Sequence, residues 1–316
     1  MGQDNRLFIE GRRVLEMVDR ALIGKQTEIL HVFLAILAGG HILLEDIPGV
    51  GKTTLALAFS KALGLDYGRT QFTPDVLPSD VTGFSVYNRE TGRMEYTPGA
   101  VMTNLYLADE LNRATSRTQS ALLEAMEEGQ VTVDGVSHPL PRPFVVIATQ
   151  NPAGASGTQL LPDSQMDRFM IRLSIGYPRH EDEVFLLKRR QSVNLLDSVE
   201  PVLTRERLQM MRDEVNAVHV HADLLSYIVS LVGATRGHPD VALGVSPRGS
   251  IALTGISKAL AYLQGRDYVV PNDIAPLFHV TLAHRLLLRP GAESEKITAE
   301  SVLGDILRSV RVPRIG

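Results

Sequence analysis

Ile47-Pro-Gly-Val-Gly-Lys-Thr-Thr54 lies between a short apolar run, His41–Leu44, and a helix-like stretch, Thr53–Leu63. A phosphate-binding loop needs that strand–loop–helix setting, whereas a glycine-rich turn that merely caps a helix does not. Gly49 and Gly51 let the backbone turn its N–H groups inward on an anion. Lys52 adds a point charge for the β- and γ-phosphates, and the Thr53 hydroxyl suits Mg²⁺. The helix that follows brings its positive end to the same place. Pro48, Gly49, Val50, Gly51, Lys52, Thr53 and Thr54 are therefore the candidate nucleotide-binding residues. The full pattern G-x-x-x-x-G-K-[ST] asks for glycine at position 46, where this chain has Asp46. Aspartate tolerates left-handed backbone better than most residues. Its charge would repel phosphate, so the side chain is expected to point away.

Two further apolar runs end in polar residues. Asn104–Ala108 runs into Asp109 and Glu110, and Phe144–Thr149 runs through Gln150 into Asn151. Asp109 is suited to the Mg²⁺ shell and Glu110 to polarising a water in line with the γ-phosphate. An Asp-Glu pair after an apolar run also suits a solvated turn; its position downstream of a phosphate loop favours hydrolysis. Asn151 can orient the attacking water, although Asn-Pro turns are common. Apolar runs of this kind fit parallel strands covered on both faces. Alternating with helices, as at Gln26–Ala38, they predict a three-layer αβα sheet whose ligand lies outside the carboxyl ends of the strands. Arg168, before the probable strand Phe169–Leu173, and Arg248, at the start of a helix, are two of 26 arginines, and spacing alone does not single them out.

After Pro178 the apolar spacing turns helical, at Glu181–Arg190, Arg205–Asn216, Ala222–Thr235, Pro247–Leu263, Asn272–Leu288 and Ser301–Val310. This predicts an α/β core over 1–177 and an all-helical domain over 178–316. The chain has 316 residues, a net charge of -4 and no cysteine. Disulfides, thiolate metal sites and a cysteine nucleophile are thus excluded, and a generic nucleic-acid-coating surface is disfavoured. His31–Leu44 is too short to span a bilayer. Met1–Arg13 has no apolar signal core, and Arg6 stands where a myristoylation signal wants Ser or Thr. A cytoplasmic protein is expected.

Taken together, Glu45–Thr53, Ala108-Asp-Glu-Leu-Asn-Arg-Ala114, Ala148-Thr-Gln-Asn-Pro152, Asp167-Arg-Phe169, Ser246-Pro-Arg248 and Ala21-Leu-Ile-Gly-Lys-Gln26 resemble signatures of the MoxR family of AAA+ ATPases. The resemblance covers about Ala21 to Val312. Asp46 is a substitution that family commonly shows, and Met166 stands where leucine is more usual. The resemblance implies a P-loop NTPase core with a helical lid, using ATP and Mg²⁺. It implies Lys52 and Thr53 in Walker A, Asp109 and Glu110 in Walker B, and Asn151 as sensor 1. Arg168 matches an arginine finger reaching a neighbour's nucleotide, with Arg113 and Arg142 also near the expected boundary. Arg248 matches sensor 2, which reports the γ-phosphate to the lid, and Ile23 and Gly24 fall where adenine is contacted. Val81–Tyr96 and Gln130–Leu140 look like that family's hairpin inserts, so that Phe84, Tyr87 and Tyr96 either meet a protein client or pack within the hairpin.

The function so implied is ATP hydrolysis in a homo-oligomeric ring, expected to be hexameric, that remodels a protein client. Family analogy extends this to a von Willebrand factor A domain partner and metal-cofactor insertion. The alternatives are a DNA-acting AAA+ motor, disfavoured by the acidic balance and the lack of an appended DNA-binding module, and a nucleotide-gated scaffold with little hydrolysis. A GTP switch, suggested by Asp80-Val-Thr-Gly83, is dropped because the chain has no N-K-x-D guanine reader.

Overall fold

The computed structural model describes residues 4–151, 161–190 and 195–314. Pro152, the last residue of the sensor 1 motif, lies outside them. Five parallel strands form the central sheet: β1 (Ile42–Glu45), β2 (Tyr67–Gln71), β3 (Leu105–Asp109), β4 (Val145–Gln150) and β5 (Ile171–Leu173), in the order β2-β3-β4-β1-β5. The side-chain period of two explains why Leu105–Ala108 and Val145–Ala148 are apolar at every position. Leu105, Leu107, Val145, Ile147, Ile42 and Leu44 enter one hydrophobic cluster, against helices Gln26–Leu37 and Lys52–Ala62. The intervening Tyr106, Ala108, Val146, Ala148 and Leu43 enter a second, against helix Ser116–Glu128. With both faces covered, β3 and β4 are buried along their whole length.

The first cluster also takes in Leu208, Leu231, Leu253 and Phe278 from helices beyond residue 178, so the helical part shares a core with the sheet. Ser246 starts helix Pro247–Leu263 by accepting a hydrogen bond from the Arg248 amide (3.1 Å), with Pro247 in the first turn. The same hydroxyl donates to Asp167 (2.8 Å), which also accepts from the buried Arg285 (2.9 Å). Asp167 of the Asp-Arg-Phe motif therefore pins the helical part onto the core.

Asn272–Leu288 does not form the single helix expected from sequence. Pro276 sits in the first turn of helix Ala275–Leu282, where proline starts a helix, and short 3₁₀ turns flank it. Leu287–Leu288 then pairs antiparallel with Val241–Leu243, so the helical part also holds a small sheet. The sequence reading had no counterpart for helix Asp4–Asp19, helix Ser116–Glu128 or edge strand β2.

Strands Gly83–Asn88 and Arg93–Pro98 pair antiparallel, as do Gln130–Val133 and Val136–Pro139 across a turn with positive φ at Asp134 and Gly135. Tyr96 stacks on His138 with ring centroids 3.7 Å apart and donates its hydroxyl to the Thr82 carbonyl. Tyr96 thus ties one hairpin to the other, whereas Phe84 and Tyr87 are exposed.

Candidate nucleotide site

The phosphate loop joins the carboxyl end of β1 to helix Lys52–Ala62. Gly49 and Gly51 have φ of 89° and 101°, left-handed values that glycine adopts without strain. A Cβ on Gly51 would also stand 2.7 Å from the Leu22 side chain. Asp46 turns away from the loop's interior. Its carboxylate accepts from the amides of Ile47 (3.0 Å) and Gly176 (2.7 Å) and from the Ser174 hydroxyl (3.0 Å), tying the loop's start to the chain leaving β5.

Two adjoining cavities share Pro48, Gly49, Gly51 and Thr54. The larger, about 760 Å³, is mainly apolar and lined by Leu22, Ile23, Val50, Leu186 and Leu196 among others. It suits a purine. Gly24 is not part of its lining; a Cβ there would collide with the Asp182 carboxylate. The smaller, about 320 Å³, brings together Lys52, Thr53, Arg69, Asp109, Glu110 and Asn151.

Lys52 Nζ donates to the Asp46 carbonyl (2.6 Å). Burial lowers the lysine pKa, while the charges of Asp46, Asp109 and Glu110 act in the opposite direction. Asp109 accepts from Thr149 on one oxygen (2.7 Å) and from Arg69 on the other (2.7 Å). Thr149 also accepts from the Glu110 amide (2.8 Å), and Glu110 has φ 55°. A left-handed glutamate costs about 1–3 kcal/mol, a strain that clusters at functional sites. Glu110 Oε2 pairs with Arg113 (2.7 Å). Asn151 is buried and its Oδ1 has no partner among the described residues, an orphaned acceptor in a cavity that otherwise suits a solvated polyanion. No cluster of three His, Asp or Glu side chains occurs among the described residues. A divalent cation would therefore be held by Thr53, Asp109 and the phosphates themselves, as the donor set allows.

Neither Arg168 nor Arg248 lines these cavities. Both pair with Glu127, Arg168 at 2.9 Å, beside Gly39, Gly40 and His41 at the amino end of β1. Arg248, for which the resemblance implies a γ-phosphate contact, is held by Glu127 here and lies outside both cavities. Sequence reasoning missed Arg69, Thr149, Glu127 and Arg285. Arg69 lies on an edge strand, Tyr-Gly-Arg-Thr-Gln, whose letters carry no apolar period to mark it.

Residues 41–171 match the family model described as "ATPase family associated with various cellular activities (AAA)", and residues 233–306 match the AAA lid domain. Chaperone MoxR1 of Mycobacterium tuberculosis is 36% identical, over 96% of this chain and 82% of that protein. The chain belongs to the MoxR family of AAA+ ATPases. Another relative, YeaC of Bacillus subtilis, is 48% identical over 95% of this MoxR-family chain and 94% of its own length. The crystal structure of a Cytophaga hutchinsonii protein with an ATPase designation superposes with a TM-score of 0.91 at 37% identity, covering 98% and 97% of the two chains. In this MoxR-family chain no helix among the described residues is long and apolar enough to cross a membrane.

Proposed function

We propose that this chain hydrolyses ATP in a ring assembly and uses the cycle to remodel or mature a protein partner. One observation carries the reading: Lys52, Asp109, Glu110 and Asn151, from three separate strand ends, line one polar cavity that continues into an apolar one. Adenine occupies the apolar cavity, and the triphosphate runs across Pro48–Gly51 into the polar one. When bound, Mg²⁺ supplies charge neutralisation at the β- and γ-phosphates, with Thr53 and Asp109 as its protein-side holders. Lys52 clamps the phosphates. Glu110, whose Oε1 is left over from the Arg113 pair, draws a proton from a water oriented by Asn151. The water oxygen bonds to the γ-phosphorus, the bond to the bridging oxygen breaks, and ADP and phosphate result.

Arg168 and Arg248 lie at the opposite end of β1, which at four residues is about 13 Å long. They therefore act on a neighbouring subunit's nucleotide, so hydrolysis requires assembly, taken here as a hexamer. Residues 1–177 form the core and 178–316 the lid of each subunit. The exposed Phe84, Tyr87 and Met94 of the first hairpin offer apolar contacts to a client. Family analogy makes that client a protein with a von Willebrand factor A domain, matured in the cytoplasm by insertion of its metal.

The deciding variant is Glu110→Gln. It retains ATP binding in titration calorimetry, while steady-state phosphate release falls at least ~100-fold, the scale of a positioned base. Near-normal turnover would remove Glu110 from the mechanism. Duplex DNA leaves turnover unchanged; a salt-sensitive stimulation would favour a DNA motor.

A further inference from the structure

Arg69 has no part in the mechanism above, yet it lines the polar cavity together with Lys52, Asp109, Glu110 and Asn151. Among the described residues its hydrogen bonds, to Asp109 (2.7 Å) and Gln71 (3.1 Å), both leave from Nη2. Nε and Nη1 keep their donors, and the side chain is 44% exposed, so it is free to extend further into the cavity. The position along the nucleotide is fixed by which residues line which cavity. Pro48, Gly49, Gly51 and Thr54 line both, whereas Arg69 lines only the one that holds the acids. Lys52 and Thr53 also line only that cavity, but Arg69 differs from them in its pairing with Asp109 beside Glu110, the end at which a terminal phosphoryl would lie. We infer that Arg69 is a γ-phosphate-contacting residue that makes the site prefer ATP over ADP, its guanidinium pivoting on Asp109 to meet the terminal oxygens. Asp109 serves as the hinge because its other oxygen is already fixed by Thr149 (2.7 Å).

The inference rests on the nucleotide site proposed above, and the test separates the two. Affinities for AMP-PNP and ADP are measured by titration calorimetry for wild type, Arg69→Gln, Arg69→Lys and Lys52→Ala. Loss of one charge-assisted contact predicts AMP-PNP binding to Arg69→Gln weakened about 10- to 100-fold, with ADP changed less than about 2-fold. Arg69→Lys, which keeps the charge without the planar fork, falls between. Equal losses for both nucleotides would reduce Arg69 to a support for Asp109 and overturn the inference, as would no loss at all. If Lys52→Ala binds both nucleotides like wild type, it is the nucleotide site itself that fails.

Discussion

The two ends of strand β1 are built on opposite electrostatic plans. At its carboxyl end, the polar cavity gathers Lys52 and Arg69 with Asp109 and Glu110, and Asn151 Oδ1 there has no partner among the described residues. At its amino end, Arg168 and Arg248 are already matched, both held by the single carboxylate of Glu127. The first end is prepared to take a polyanion. The second keeps two guanidinium groups converged on one anion, the geometry that also grips a phosphoryl group. On the proposed function, a single chain carries the two halves of a hydrolytic site with its own strand between them. On that reading a neighbouring subunit brings the halves together.

Breaking the amino-end half has the largest expected effect. Arg168→Ala lowers turnover at assembling protein concentrations by ~10³-fold, the lower range for an arginine finger. ATP affinity of dilute protein stays unchanged by calorimetry. A loss of affinity in dilute protein would mean that Arg168 serves its own nucleotide, and the division between the two ends would fail.

At the carboxyl end, Asp46 is structural rather than catalytic. It accepts three hydrogen bonds and is 5% exposed. Asp46→Ala strands their donors and destabilises the chain by about 3 kcal/mol in urea unfolding, since bonds to a charged group are worth more than neutral ones. If stability holds and ATP affinity rises instead, Asp46 is repelling phosphate.

The amino end should also be the more sensitive to acid. His41 lines its cavities and is partly buried; burial pushes its pKa down to about 4, from 6.5, with Arg212 adding to the effect and the Met126 carbonyl opposing it. His284, against the Phe169 carbonyl, is lowered by burial and by Arg285. Above pH 6.5, His41 is neutral whether the chain is folded or not. As pH falls toward 4 the unfolded chain takes up a proton that the folded one refuses, so stability is lost with acidification. For His41 alone the loss between pH 7 and pH 5 is about 2 kcal/mol. Urea midpoints at the two pH values test this, and His41→Gln should flatten the difference. An unchanged slope in that variant would assign the acid sensitivity elsewhere.

The sheet was legible because burial on both faces leaves an unambiguous mark. Leu105–Ala108 and Val145–Ala148 must be apolar along their length if alternate side chains enter different cores, and each strand changes character in its last one or two residues. Strand β2 escaped notice for the converse reason, since an edge strand is under no such pressure and Tyr67–Gln71 is only half-buried. Helix Ser116–Glu128 went unread although Thr115 caps its start and Gly129 ends it in the left-handed conformation. The apolar spacing of Asn272–Leu288 runs through Pro276, which starts a helix there instead of continuing one.

For the site, the letters alone marked Ile47–Thr54, Asp109, Glu110 and Asn151, because Asp109, Glu110 and Asn151 stand at or just beyond the end of a buried strand and Ile47–Thr54 is the glycine-rich loop that follows one. That logic depends only on local sequence and on water being excluded from the sheet. Tertiary structure alone decided that Arg69 joins them, that Asp46 faces away to Ser174 and Gly176, and that Arg168 and Arg248 share Glu127. These are contacts between residues tens of positions or more apart. Charged side chains leave no periodic trace of their partners, and only the folded path of the backbone brings them within reach.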